Sequence, residues 1–169
     1  TLPRSHMLLG WAYLFQKQYD QAIIELQRAI ALDPNLAVAY TRLGFTLNFA
    51  GQPQEALGFI EQSLRLDPTS PFFALTALGQ TYRLLGRYDE AVTTFKRTLN
   101  LNPNFWAPHV QLALCYSELG REEAARAQAA EVLRVSPNFS LDVMRQRLPV
   151  KDPVEFERYL DSLRKAGLK

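Results

Sequence analysis

The sequence predicts an all-α solenoid of four helix-turn-helix units, followed by a C-terminal capping segment of two helices. Three observations predict it. Prolines recur in matching contexts, Leu32-Asp33-Pro34-Asn35, Leu66-Asp67-Pro68-Thr69, Leu101-Asn102-Pro103-Asn104 and Val135-Ser136-Pro137-Asn138, at spacings of 34, 35 and 34 residues. A leucine and a small residue precede each proline at a constant distance: Leu9-Gly10, Leu43-Gly44, Leu78-Gly79 and Leu112-Ala113. An alanine follows each small residue at a fixed interval, at Ala22, Ala56, Ala91 and Ala125.

The units run over 3–36, 37–70, 72–105 and 106–139. In each, the first half carries apolar residues at helical spacing, as in Leu9, Ala12 and Tyr13. A break follows at Gln16-Lys17, Gly51, Gly86 and Gly120, where glycine supplies a left-handed helix stop. The second half is helical again, as in Ala22, Leu26, Ala29 and Ile30. Two helices cross closely only where one side chain is nearly absent, which explains the small residues. The recurring prolines end each second helix. Pro71 is an extra residue between units two and three and predicts a slight bend in the stack there.

These residues resemble the tetratricopeptide repeat family, whose pattern is a bulky residue, Leu-Gly, Tyr, Ala, an aromatic or aliphatic, Ala and Pro. The resemblance covers roughly residues 3–139 and implies a right-handed superhelix whose first helices line a concave, peptide-binding groove. Departures are mild. The first bulky slot holds His6, Tyr40, Leu75 and His109, and the second alanine slot holds Ala29, Ser63, Thr98 and Val132. The latter predicts looser or shifted packing in the later units.

Residues 140–169 do not continue the pattern. Ser140 reads as the N-cap of a short helix with Leu141, Met144 and Leu148 on one face. Asp152-Pro153-Val154-Glu155 is a second helix start with the elements of a capping box. Phe156, Tyr159, Leu160 and Leu163 form its apolar stripe, and Gly167 its stop. This segment is expected to cap the exposed face of the last repeat. The strings Lys151-Asp152-Pro153, Glu157-Arg158-Tyr159-Leu160 and Leu163–Leu168 resemble the tail behind repeat arrays in bacterial class III adenylate/guanylate cyclases. That resemblance implies a signalling context, with a catalytic domain outside this chain.

Composition excludes several function classes. Of 169 residues, 47% are hydrophobic and 21% charged, which describes an ordinary foldable chain. The formal net charge is +2, and all of the excess lies in the tail, too little to attract nucleic acid or a membrane surface. No apolar run reaches membrane-spanning length. The single cysteine, Cys115, excludes an internal disulfide and fits a reducing, cytoplasmic setting. The apolar start lacks a small-residue cleavage site, so no signal peptide is assigned. Leu2–Met7 also resembles a cloning scar, so His6 and Met7 carry little weight, and the initial Thr1 is consistent with a piece of something longer.

No phosphate loop, dinucleotide fingerprint or zinc spacing is present, so no cofactor, metal or catalysis is assigned. Cys115 and the two histidines read as packing residues. Acidic pairs such as Glu122-Glu123 complement helix dipoles. The resemblance places Met7, Trp11, Thr41, Arg42, Phe45, Asn48 and Phe49 in the groove. It also places Phe73, Thr76, Gln80, Arg83, Gln111, Leu114, Ser117 and Glu118 there. Aromatics with arginine and amides suit a protein interface, and Arg42 and Arg83 suit a carboxylate. The competing reading packs the aromatics between helices and leaves both arginines solvated. The lysine and asparagine pattern by which some family members clamp a chaperone's C-terminus is missing. The expected function is a scaffold for a peptide or helix of a protein partner. The alternative is the regulatory or dimerising region of a cyclase. Self-association, as a homodimer, is expected through the uncapped N-terminal helix.

Overall fold

The computed structural model describes residues 2–169, which form ten α-helices and, among the described residues, no strand. The first helices of the four units are α1 (Pro3–Phe15), α3 (Ala37–Phe49), α5 (Phe72–Leu84) and α7 (Trp106–Glu118). Their second helices are α2 (Tyr19–Leu32), α4 (Pro53–Leu66), α6 (Tyr88–Leu101) and α8 (Glu122–Val135). The tail holds α9 (Leu141–Arg147) and α10 (Pro153–Lys165).

None of these eight repeat helices has a side-chain N-cap. Helices this short are marginal alone, so packing holds them. The turn inside each unit is built one way. Lys17, Gly51, Gly86 and Gly120 take φ of 60°, 79°, 74° and 68°. The next N–H then bonds back to the carbonyl of Tyr13, Leu47, Tyr82 or Tyr116 at 2.8–3.0 Å.

Within a unit the helices cross at the small residue. A Cβ on Gly44 would lie 2.3 Å from Cγ1 of Ile60, and one on Gly79 would lie 2.6 Å from the Phe95 ring. The partner sixteen positions on changes in step: Leu26, Ile60 and Phe95 face glycines, whereas Ala113 faces Ala129. The second alanine slot is not loosened. Ser63, Thr98 and Val132 are as buried as Ala29. Ser63 donates to the Ala37 carbonyl (2.8 Å) and Thr98 to that of Thr94 (3.1 Å), which satisfies their hydroxyls locally. The extra residue near Pro71 is taken up in a turn where Asp67 accepts from the backbone of Thr69 and Ser70.

His6 and His109 occupy equivalent places. Each Nδ1 meets a second-helix side chain, Glu25 at 2.6 Å and Gln128 at 2.8 Å. Two apolar clusters form the core, one around Leu26, Leu43 and Ile60, the other around Phe95, Leu112 and Leu160. Tyr82 touches both.

The tail packs on the last unit and also reaches along the concave side. Ser140 and Asp152 do cap α9 and α10, the latter accepting from Val154 N (2.9 Å) and Glu155 N (3.2 Å). The capping box is only half made, because the Glu155 carboxylate accepts the Tyr159 hydroxyl instead. The stripe of α10 packs on α7, and the linker before it runs back across the concave side. There Lys151 N donates to the Phe49 carbonyl (3.0 Å), and the Tyr19 hydroxyl donates to that of Pro149 (3.1 Å). The chain end returns to α9, Leu141 N donating to the Lys169 carbonyl (2.8 Å). Tyr88, Val92 and Leu99 of α6 join the C-terminal apolar cluster, whereas their counterparts on α8, Glu122, Arg126 and Leu133, are exposed, with Glu122 and Arg126 paired at 3.0 Å.

Candidate functional site on the concave face

The first helices supply the concave wall, but the tail divides it. Residues expected to form one groove fall into an open N-terminal section, a covered C-terminal section and positions outside both.

The open section is a cavity of about 470 Å³ lined by Trp11, Thr41, Arg42, Phe45, Phe73 and neighbours on α3 and α4. Trp11 stands edge-to-face on Phe15 (centroids 5.4 Å apart) and Phe45 (6.3 Å). Phe73 is 62% exposed and leans edge-on against Phe72 at 5.1 Å. The Arg42 guanidinium lies 5.1 Å from the Trp11 ring centre. Its Nη1 is buried without an acceptor, alone among the described side-chain atoms. Burial lowers the pKa of this arginine from its usual value. Thr41 lines the wall but is buried, its Oγ1 2.7 Å from Ser63 Oγ.

The covered section is a second cavity, of about 450 Å³, between α3, α5 and α7 on one side and the tail on the other. Phe45, Asn48, Thr76, Gln80, Arg83 and Gln111 all lie on its wall. Two are committed to structure. Asn48 Nδ2 bonds the Ala77 carbonyl (3.3 Å) and Thr81 Oγ1 (3.0 Å), tying α3 to α5. Thr76 Oγ1 donates to the Phe72 carbonyl at 2.9 Å. Arg83 is not solvated: it is 6% exposed, donates from Nε to Gln111 Oε1 (2.7 Å) and stacks 4.3 Å above the Tyr159 ring. Burial pushes the Tyr159 hydroxyl up to about 12.

Several expected residues leave the groove. Ser117 donates to the Ala113 carbonyl (2.9 Å) and lines a shallow pocket with Ser162 and Lys165 instead. Met7 is buried in the first apolar cluster, and Glu118 is exposed. Cys115 is fully buried and its thiol is pushed up to about 12 by burial, far from a nucleophile's range. Among the described residues no group of His, Cys, Asp and Glu is arranged to hold a metal ion. No helix there is long and apolar enough to cross a membrane.

Sequence reasoning missed the tail residues Met144, Leu148, Lys151, Glu155, Phe156 and Tyr159 as groove-wall residues.

Sequence profiles described as tetratricopeptide repeat match residues 3–36, 35–104 and 82–141, which together span the helical units. The chain is a tetratricopeptide repeat protein. It is 33% identical over 101 residues to the cell division cycle protein 27 homolog of Caenorhabditis elegans. It is 29% identical over 102 residues to anaphase-promoting complex subunit 3 of Schizosaccharomyces pombe (strain 972 / ATCC 24843). Each alignment takes in 60% of this chain but only 13% and 15% of the relative. The crystal structure of PilW, a widely conserved type IV pilus biogenesis factor, superposes with a TM-score of 0.77 at 19% identity. That match covers 97% of this chain and 73% of PilW, and it establishes the repeat superhelix.

Proposed function

We propose that this tetratricopeptide repeat protein is an interaction scaffold that takes an extended peptide or a helix of a partner protein on the open N-terminal section of its concave face. The observation that carries this reading is the cavity where exposed Phe73, half-buried Trp11 and Phe45, and an arginine lacking a full set of acceptors converge. Aromatics and arginine are the residues that dominate interface energetics. The name of the Schizosaccharomyces pombe relative, a complex subunit, agrees with a role in assembly. Arg83 is not part of this partner surface, because the tail lies over it.

The test is affinity capture from source-cell lysate with the intact chain, Arg42→Gln and Phe73→Ser, quantified by mass spectrometry. Both variants are expected to lose their specific partners at least fivefold while melting at the wild-type temperature. Equal capture by folded variants refutes the groove assignment.

A second reading rests on the other end of the stack. Leu2, just before α1, and Leu9 on α1 are exposed, whereas their counterparts Leu36, just before α3, and Leu43 on α3 are buried in the cluster with Leu26 and Ala29. This reading has a second copy cover the exposed face. Sedimentation that gives only monomer at high concentration rejects it.

A further inference from the structure

The covered cavity contains a buried arginine with no direct ion-pair partner, with Glu155 and Asp152 elsewhere on its wall. Arg83 is more than nine-tenths buried, and its hydrogen-bond and stacking partners, Gln111 and Tyr159, are both uncharged. None of the ion pairs among the described residues includes it. A buried charge is costly unless it is paired. Repeat packing does not require one here: the equivalent slots hold Leu14, Asn48 and Ser117. The cavity that Arg83 lines has a volume of about 450 Å³, within the range of small-molecule sites. Its other walls are mainly apolar, with Phe45, Trp106, Leu114, Met144 and Leu148 prominent.

We propose that the cavity between α3, α5, α7 and the tail binds a small amphipathic monocarboxylate, with the carboxylate on Arg83 and the apolar body against the Trp106 and Leu148 walls. The single negative charge follows from the arrangement of the wall: Arg83 has no direct acidic partner, whereas Lys151 shares the cavity with Asp152 and Glu155, so one carboxylate finds a cation and a second negative charge meets two carboxylates. The small size follows from the cavity's volume, with the tail forming its second wall and held to α3 by the Lys151–Phe49 backbone bond. A guanidinium stacked on an aromatic ring is a rigid donor suited to a carboxylate. The site is separate from the open section, so it stands whether or not a protein partner binds there.

The test uses 4-phenylbutyrate and its uncharged counterpart 4-phenyl-1-butanol as probes of the full chain. Binding is followed by calorimetry and by Trp106 fluorescence in a Trp11→Phe background. Phenylbutyrate is expected to bind at least tenfold more tightly than the alcohol, and Arg83→Gln to abolish that preference. Should Arg83→Gln fail to fold, Ala107→Phe reads the same site: Ala107 lines the cavity and is only partly buried, so the larger ring fills the space and binding is lost. Equal affinity for acid and alcohol overturns the proposal. So does an absence of acid binding at millimolar concentration, or acid binding that survives folded Ala107→Phe unchanged.

Discussion

Gly44→Ala tests the packing rule that builds each repeat. The added methyl would sit 2.3 Å from Cγ1 and 2.7 Å from Cδ1 of Ile60, which is fully buried. Ile60 is β-branched and on a helix, so its χ1 has one strongly preferred well and cannot swing aside cheaply. Forcing the overlap costs about 1–3 kcal/mol. Replacing a mid-helix glycine by alanine returns about 1 kcal/mol. The net is a loss of about 0–2 kcal/mol, or a melting temperature lower by up to several degrees for a chain of this size. Ile60→Ala alone costs about 2–5 kcal/mol through the cavity it leaves. In that background the Gly44→Ala methyl meets open space, so the same substitution becomes stabilising by about 1 kcal/mol. The double variant copies the Ala113–Ala129 pair of unit four. Urea unfolding of the four proteins, with m-values compared, measures the cycle. Gly44→Ala that costs the same in both backgrounds, or that stabilises the wild type, refutes the argument.

Among the described residues Lys17 is the one non-glycine residue with positive φ, in a slot that the other units give to glycine; Lys17→Gly is expected to stabilise by about 1 kcal/mol, and a melting temperature that does not rise counts against it. Glu25 accepts from His6 and Arg28, and chiefly the His6 bond lowers its carboxyl below the usual range. A folded-state pKa below the unfolded one means its stabilisation is present above about pH 4 and fades as pH falls through the folded value. Glu25→Gln is therefore expected to be less stable than wild type at pH 7 and to converge with it in acid; parallel stability curves from pH 3 to 7 would exclude this role.

The repeat and its turns were legible because their determinants are local. Gly10, Gly44 and Gly79 each meet a partner sixteen residues away, and Gly51, Gly86 and Gly120 act on their own turns. The caps at Ser140 and Asp152 are equally local, reaching two or three residues. The candidate site was legible only as a set of groove-facing slots. A slot does not reveal whether its side chain is free: Thr41 and Asn48 occupy such slots yet spend their polar atoms on Ser63, Ala77 and Thr81. Nor does it reveal cover, which is why Arg83 reads as a ligand-binding arginine in sequence and is enclosed in the fold.

The sequence by itself determined the helices and their pairing within units. Those features follow from propensity, glycine stops and size matching over one unit, where contacts are short in sequence. Only the tertiary structure decided that the tail turns inward, that the groove is split into an open and a covered section, and that Arg42 and Arg83 end in different cavities. The bond from Tyr19 to the Pro149 carbonyl spans 130 residues. It forms because the curvature of the stacked repeats brings the first two turns to the linker of the last two helices, and that curvature is a sum over every interface between units.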